Sequence, residues 1–271
     1  YSRAFDLTKT YFIIGGIAGI DPEQGTLGTA AWARYAVDYG ASYELDAREL
    51  PADWPYGYFG IGTAGPSDAP AAGDRGVVQL DEQMLQAALR ITRGVPLEDS
   101  MAAATTRALY PAAPADQPPV VTQCDVVSSD TWFAGSALAQ RARDWTTLVT
   151  GGAGTYCTSA QEDNATLEVL TRAAAAGAID FTRVALVRTA SDFSAPYPGQ
   201  SDADGLLDAL ASGGLLLSVD NLAATVVPLV QAIVAGWSSG QAGGPAIVPD
   251  GPARSLTAPA ASAILPACAG W

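Results

Sequence analysis

The run from Arg183 to Phe193, Arg-Val-Ala-Leu-Val-Arg-Thr-Ala-Ser-Asp-Phe, reads as a parallel strand buried on both faces. A strand of that kind needs a sheet with helices packed on either side, so it commits the chain to an α/β architecture. It ends by pushing a hydroxyl and a carboxylate, Ser191 and Asp192, out of its carboxyl edge, where the ligand crevices of open α/β sheets lie. Ser-Asp after a strand is also a common way to cap the next turn or helix, so position alone assigns no role. Three clusters precede it in the chain: Gly15-Gly16-Ile17-Ala18-Gly19, Ser128-Ser129-Asp130-Thr131-Trp132 and Gln161-Glu162-Asp163-Asn164-Ala165-Thr166.

The composition excludes whole classes of chemistry. There is no histidine, which removes Ser-His-Asp and Cys-His catalysis, imidazole acid-base work and histidine-ligated metals together. Proton transfer must use carboxyl groups, tyrosine or water. A net charge of −14, from 28 acidic and 14 basic residues, would repel a nucleic-acid partner. Lys9 is the single lysine, so anion recognition falls to arginine or backbone amides. Cys124, Cys157 and Cys268 lack metal-ligand spacing, and no metal is expected. A Cys124–Cys157 disulfide fits an exported protein; three buried thiols is the other reading. The most apolar stretch, Leu222 to Trp237, is interrupted by Thr225, Pro228 and Gln231 and is read as a buried helix rather than a membrane span.

Strands and helices alternate along the 271 residues. Strands are expected at Tyr11 to Gly16, leading into a glycine turn, at Ser42 to Glu49, at Val120 to Ser129 and at Arg183 to Ser191. Helical spacing marks Thr26 to Tyr39, Asp81 to Arg93, Leu97 to Leu109, Gly135 to Leu148, Ala160 to Ala176, Asp202 to Ala211 and Asn221 to Trp237. Asp53 to Gly76, rich in Pro, Gly and aromatic residues, is expected as a long loop of the kind that often forms a functional lid. The order implies a three-layer α/β/α sandwich around a mixed, mostly parallel central sheet. It forms a single domain over residues 1–237, followed by a Gly/Ala/Pro-rich tail over residues 238–271.

Several runs, taken in order, resemble the purine nucleoside permease family, within the nucleoside phosphorylase and nucleosidase superfamily. They are Ile14-Gly15-Gly16-Ile17-Ala18-Gly19-Ile20-Asp21-Pro22, Glu44-Leu45-Asp46-Ala47-Arg48-Glu49-Leu50-Pro51, Gln161-Glu162-Asp163-Asn164-Ala165-Thr166-Leu167, Ser191-Asp192-Phe193 and Pro196-Tyr197-Pro198-Gly199-Gln200. The resemblance covers nearly the whole chain and implies a nucleoside phosphorylase-like fold. Members of the family carry a further N-terminal segment, so the domain is expected to lack its first strand. A separate N-terminal fragment and a homo-oligomer are the macromolecular partners this leaves open.

The resemblance implies a site for a purine nucleoside. Asp192 would be the acid that protonates the departing purine at N7, oriented by Ser191. Trp132 would stack on the base, with Phe133 and Phe193 completing an apolar slot. Glu162, Asp163 and Asn164 would hold the ribose hydroxyls, although an acidic first turn also suits a helix dipole. The backbone at Gly16, Ala18 and Gly19 would hold water or phosphate near the anomeric carbon. Arg48 and Arg188 are the cations expected near the sheet end, Arg188 paired internally with a carboxylate; Asp46 and Glu49 are expected to be structural. No cofactor is implied, phosphate being at most a co-substrate. Glycosidic cleavage is the first functional reading, and an exported nucleoside-binding protein serving uptake the second.

Overall fold

The computed structural model describes residues 4–238. Among these residues are ten strands and six α-helices, and the strands form an eight-stranded mixed sheet and a separate two-stranded one. At the centre, β1 (Phe12–Ile20) runs parallel to β10 (Val184–Phe193), from Phe12 opposite Val184 to Ile20 opposite Phe193. All ten residues of β10 are buried, as its apolar run requires. On the other side of β1 lies β9 (Tyr156–Ala160), which pairs with it only at Gly19 and Ile20.

The flanking strands are pieces of two bent segments. β2 (Ala30–Trp32) and β3 (Tyr35–Asp38) are consecutive, as are β7 (Val121–Gln123) and β8 (Asp125–Ser128); β2 pairs with β7 and β3 with β8, both parallel. The complete order is β6-β3-β8-β9-β1-β10-β2-β7, with β6 (Val77–Gln79) at one edge. The two ends of this order therefore belong to one bent ladder. Bending it frees backbone donors, and the buried Asp125 collects them. Its Oδ1 accepts from the N–H groups of Arg34 and Tyr35 at 2.9 and 2.8 Å, and its Oδ2 from that of Thr155 at 2.7 Å.

Helices cover both faces. Val126 packs in a cluster with Leu167 of α4 (Asp163–Ala175), while its neighbour Val127 packs with Ala142, Trp145 and Val149 of α3 (Ser136–Thr150). Consecutive strand residues face opposite ways, so α4 and α3 lie on opposite sides of the sheet. Ala185 and Val187 meet α1 (Glu82–Thr92) and α6 (Gly214–Ser238), and Val184 and Leu186 meet α4. This is the three-layer α/β/α arrangement expected from the sequence. A disulfide joins Cys124 to Cys157, their Cα atoms 5.6 Å apart, and ties the bend between β7 and β8 to β9. Cys268 and the tail from residue 239 lie outside the described residues.

Four expectations are corrected. Thr26 to Tyr39 is not a helix but β2 and β3: Trp32 enters the core on one face and Ala31 on the other, so the segment shows no two-residue alternation. Gly15 to Gly19 is no turn, because β1 continues to Ile20. Its glycines instead give way to neighbouring side chains; a Cβ at Gly15 would stand 3.1 Å from Leu222 and one at Gly16 2.3 Å from the Arg188 guanidinium. Val120 to Ser129 breaks at Cys124 into two strands. Ser42 to Glu49 is a strand only at β4 (Ser42–Glu44), paired with β5 (Tyr58–Gly60) from inside the expected loop. Arg141 of α3 pins this small sheet, its guanidinium lying 3.8 Å from the Tyr39 ring and 3.9 Å from that of Tyr58.

Helix α6 also starts earlier than its Asn221 expectation. Over Gly214–Trp237 it is long and apolar enough to cross a membrane by length and composition. Leu222, Val226, Leu229 and Ile233 nevertheless pack in the sheet core, and the Asn221 amide donates to the carbonyls of Gly28 and Glu98 and accepts from the Glu98 N–H. Only that face meets the expectation of a buried helix: Leu216, Val219, Val227, Val230 and Val234 on the rest of α6 are exposed. The bend makes the fold sensitive to one carboxylate: Asp125→Ala leaves three part-buried backbone donors without their acceptor and should cost about 3 kcal/mol, read from denaturant unfolding. A loss below 1 kcal/mol would mean that the bend finds other partners.

Candidate functional site

The carboxyl ends of β1, β9 and β10 meet in one register row. Ser159 lies opposite Gly19, and Gly19 opposite Asp192. Between Ala18 and Gly19 the pairing skips from Ala190 to Asp192, so Ser191 is an extra residue, a bulge of the kind that re-aims a side chain at a strand end. Gly19 supplies the space between its neighbours: a Cβ there would stand 2.7 Å from Ser159 Oγ and 3.2 Å from Asp192 Oδ2. The Ser191 hydroxyl reaches both Asp192 Oδ1, at 2.7 Å, and the Ala18 carbonyl, at 3.1 Å.

Asp192 is buried, and its Oδ2 has no hydrogen-bond partner. Burial pushes its pKa from 3.8 up to about 6, against the opposing effect of Ser191. A carboxyl so placed is protonated in mildly acid solution and keeps one oxygen for something else. This is the chemistry of a general acid. Ser194, two residues on, donates its N–H to the Ile20 carbonyl and accepts from the N–H of Gly135, which holds the loop before α3 against the strand end. Asp21, directly after β1 and buried, takes both oxygens to Arg143 of α3 at 2.7 Å each.

A second polar cluster lies over Gly16. The buried Arg188 donates through Nε to Asp163 Oδ2 at 2.9 Å, through Nη1 to the Ile17 carbonyl at 3.0 Å, and through Nη2 to Glu162 Oε1 at 2.6 Å and to Asp163 Oδ1. Burial opposes the Arg188 charge, but the carboxylates beside it prevail and raise its pKa. Asn164 is tied to β8, accepting from the Ser128 hydroxyl at 2.9 Å. Gly16 and Gly19 are three apart in one strand and face opposite sides of the sheet, so the Arg188 cluster and Asp192 open on different faces.

Family comparison gives this arrangement a context. The purine nucleoside permease family model matches residues 1–243. The chain belongs to that family. A purine nucleoside permease of Candida albicans is 38% identical over 238 residues, which are 86% of this chain and 58% of that protein. A probable purine nucleoside permease of Schizosaccharomyces pombe is 36% identical over 250 residues, 88% of this chain and 70% of that one. The chain thus spans little more than half the length of the Candida relative. Among solved structures, a 5′-methylthioadenosine/S-adenosylhomocysteine nucleosidase from Neisseria meningitidis matches with 17% identity and a TM-score of 0.44, covering 84% of this chain and 71% of that one. Futalosine hydrolase of Helicobacter pylori matches with 12% identity and a TM-score of 0.42, covering 81% and 66%.

In this permease-family chain the residues expected from sequence are only partly gathered. Asp192 and Ser191 sit together with Ala18 and Gly19. Asp163 has both oxygens committed to Arg188, so the sugar contacts left by this geometry are Glu162, whose side chain is 61% exposed, and Asn164. Phe133 is buried and stacked on Tyr39, ring centroids 4.5 Å apart, while Trp132 remains 43% exposed. Phe193 points away from Asp192 by strand alternation and, with Tyr110 and Tyr197, lines a separate cleft of about 230 Å³. Arg48 is exposed and paired with Asp46, the structural pairing expected of Asp46. Ser159, Ser194 and Tyr156 were missed; the short Tyr-Cys-Thr-Ser-Ala segment carries no motif, and only the sheet register brings it to Asp192.

Two measurements test the electrostatics. The raised Asp192 pKa means that folding favours its protonated form, so its cost is absent below pH 3.8 and complete above about pH 6, where it amounts to roughly 3 kcal/mol. Asp192→Asn should therefore gain stability over the wild type as pH rises from 4 to 7, in parallel melting curves; a constant difference would contradict the shift. Arg188→Met strands the buried Asp163 charge and should cost about 3–5 kcal/mol in urea unfolding, whereas a near-neutral change would show that the pair is dispensable.

Proposed function

We propose that this chain binds purine nucleosides at the Ser159–Gly19–Asp192 row and cleaves their N-glycosidic bond with Asp192 as the acid. The carrying observation is the buried carboxyl at the strand end, with one oxygen unpartnered and its pKa moved to about 6. In the reaction the N9–C1′ bond breaks with its electron pair passing to the purine. The Asp192 proton goes to N7, and C1′ takes either water, whose released proton returns to the Asp192 carboxylate, or phosphate, to give ribose or ribose 1-phosphate. Ser191 orients the carboxyl, Trp132 covers the base and the backbone at Ala18 and Gly19 borders the attacking oxygen, while Glu162 and Asn164, on the other face with Gly16, reach the ribose hydroxyls only across the carboxyl edge of the sheet. Water is favoured over phosphate, because Arg188, the cation nearest the glycine strand, already shares its charge with Glu162 and Asp163.

The relatives' name, permease, supports a second reading, a nucleoside-binding component of uptake without catalysis. The Cys124–Cys157 disulfide supports an oxidising, exported setting for either. Incubation with inosine, adenosine and guanosine, with and without phosphate, followed by chromatography of the free base, separates the two. The enzyme reading expects base release by the wild type, reduced about 10²–10⁴-fold in Asp192→Asn with nucleoside affinity little changed. Binding without base release under any condition, or full turnover by Asp192→Asn, would remove the catalytic claim.

A further inference from the structure

Helix α6 is apolar on two faces. Leu222, Val226, Leu229 and Ile233 turn into the core, whereas Leu216, Val219, Val227, Val230, Val234 and Trp237 are each 41% exposed or more. At about 100° per residue these six, with the exposed Ala223 among them, fall within roughly 80° of the helix circumference and run about 32 Å along it. They form one continuous apolar stripe, and an exposed patch of that size marks an interaction surface. At one end the Trp237 ring is steadied by an edge contact with Tyr11, 6.1 Å between centroids.

The stripe is symmetric about its own middle. Leu216 and Trp237, Val219 and Val234, and Ala223 and Val230 are three pairs that share one midpoint, between Val226 and Val227. A helix patterned in this way matches a second copy of itself laid antiparallel across a two-fold axis, the self-complementary contact of a symmetric dimer. Ala223 of one copy then receives Val230 of the other, small against large, as close helix packing requires. Charge favours the same occupant. The chain has a net charge of −14, yet α6 carries a single charged residue, Asp220, so two copies can meet there without opposing carboxylates. In the antiparallel register the two Asp220 residues stand about 20 Å apart along the axis, well beyond a Debye length at physiological salt. A helix lying on a membrane surface would carry Lys or Arg on its polar face, and α6 has neither.

We infer that the outer face of α6 is the interface of a two-fold dimer of this chain, with Val227 beside the axis. The six large side chains expose on the order of 500 Å² per copy, so pairing withdraws roughly 1,000 Å² from water, the area from which a specific interface is expected. Sedimentation velocity of the full chain between about 0.1 and 100 µM tests this. The wild type should be dimeric in the upper part of that range. Val227→Glu sets two like charges against each other at the axis and should weaken association at least about a hundredfold. The position is exposed, so the variant keeps its fold, read from circular dichroism. Ala223→Glu and Val230→Lys should each weaken association alone. Mixed together they should associate at least about tenfold more tightly than either does by itself, because residue 223 of one copy meets residue 230 of the other. A wild type that stays monomeric throughout, a dimer indifferent to Val227→Glu, or single variants that gain nothing on mixing would overturn the inference. So would flotation of a monomeric wild type with phosphatidylcholine vesicles, which would assign the stripe to a lipid surface.

Discussion

The absence of a side chain at two positions of one central strand, Gly16 and Gly19, is the constraint on which the rest depends. β1 lies parallel to β10 along its whole length, and β10 carries both an arginine and an aspartate that must be accommodated on that shared surface. Gly16 admits the Arg188 guanidinium and Gly19 admits the Asp192 carboxyl; at either position a methyl group would occupy space already taken. The two glycines face opposite sides of the sheet, so one strand provides both a buried ion cluster and a buried acid. The first holds α4 to the sheet. The second is a destabilised group kept in place by packing, as is common where stability is traded for chemistry.

That division explains why Asp192 differs from the other buried carboxylates. Asp125 accepts three backbone N–H groups, Asp21 meets a guanidinium with both oxygens, and Asp163 does the same with Arg188. Each is fully partnered and explained by the architecture it supports. Burial raises the pKa of Asp125 and Asp163 as well, but backbone donors or Arg188 oppose it there, whereas at Asp192 one neutral hydroxyl is all that does. Among the described residues it is also the buried carboxylate with an orphaned oxygen.

Much of the layer order was legible because β10, α1, α3 and α4 carry clear periodicity or uninterrupted apolar character. The misread elements share a physical cause. β2 is buried on both faces and only three residues long, so Ala30-Ala31-Trp32 has neither alternation nor length to separate it from a helix. The glycine run looked like a turn because glycine is equally frequent where backbones bend and where side chains approach closely, and only the pairing partner distinguishes the cases. Asp192 and Ser191 could be singled out since a strand end is visible in sequence. Ser159 could not, because its importance comes from a register with β1, which is more than a hundred residues away.

The central claim is that Asp192 is held protonated well above the ordinary carboxylate range by burial alone. Carbon-13 NMR of the aspartate carboxyls, assigned by comparison with Asp192→Asn, reads that ionisation directly. The account predicts one carboxyl resonance, absent from the variant, titrating with a midpoint at about 6. A midpoint near or below 3.8 would contradict it, since a carboxyl that ionises that readily is solvated or paired and cannot be the acid described here.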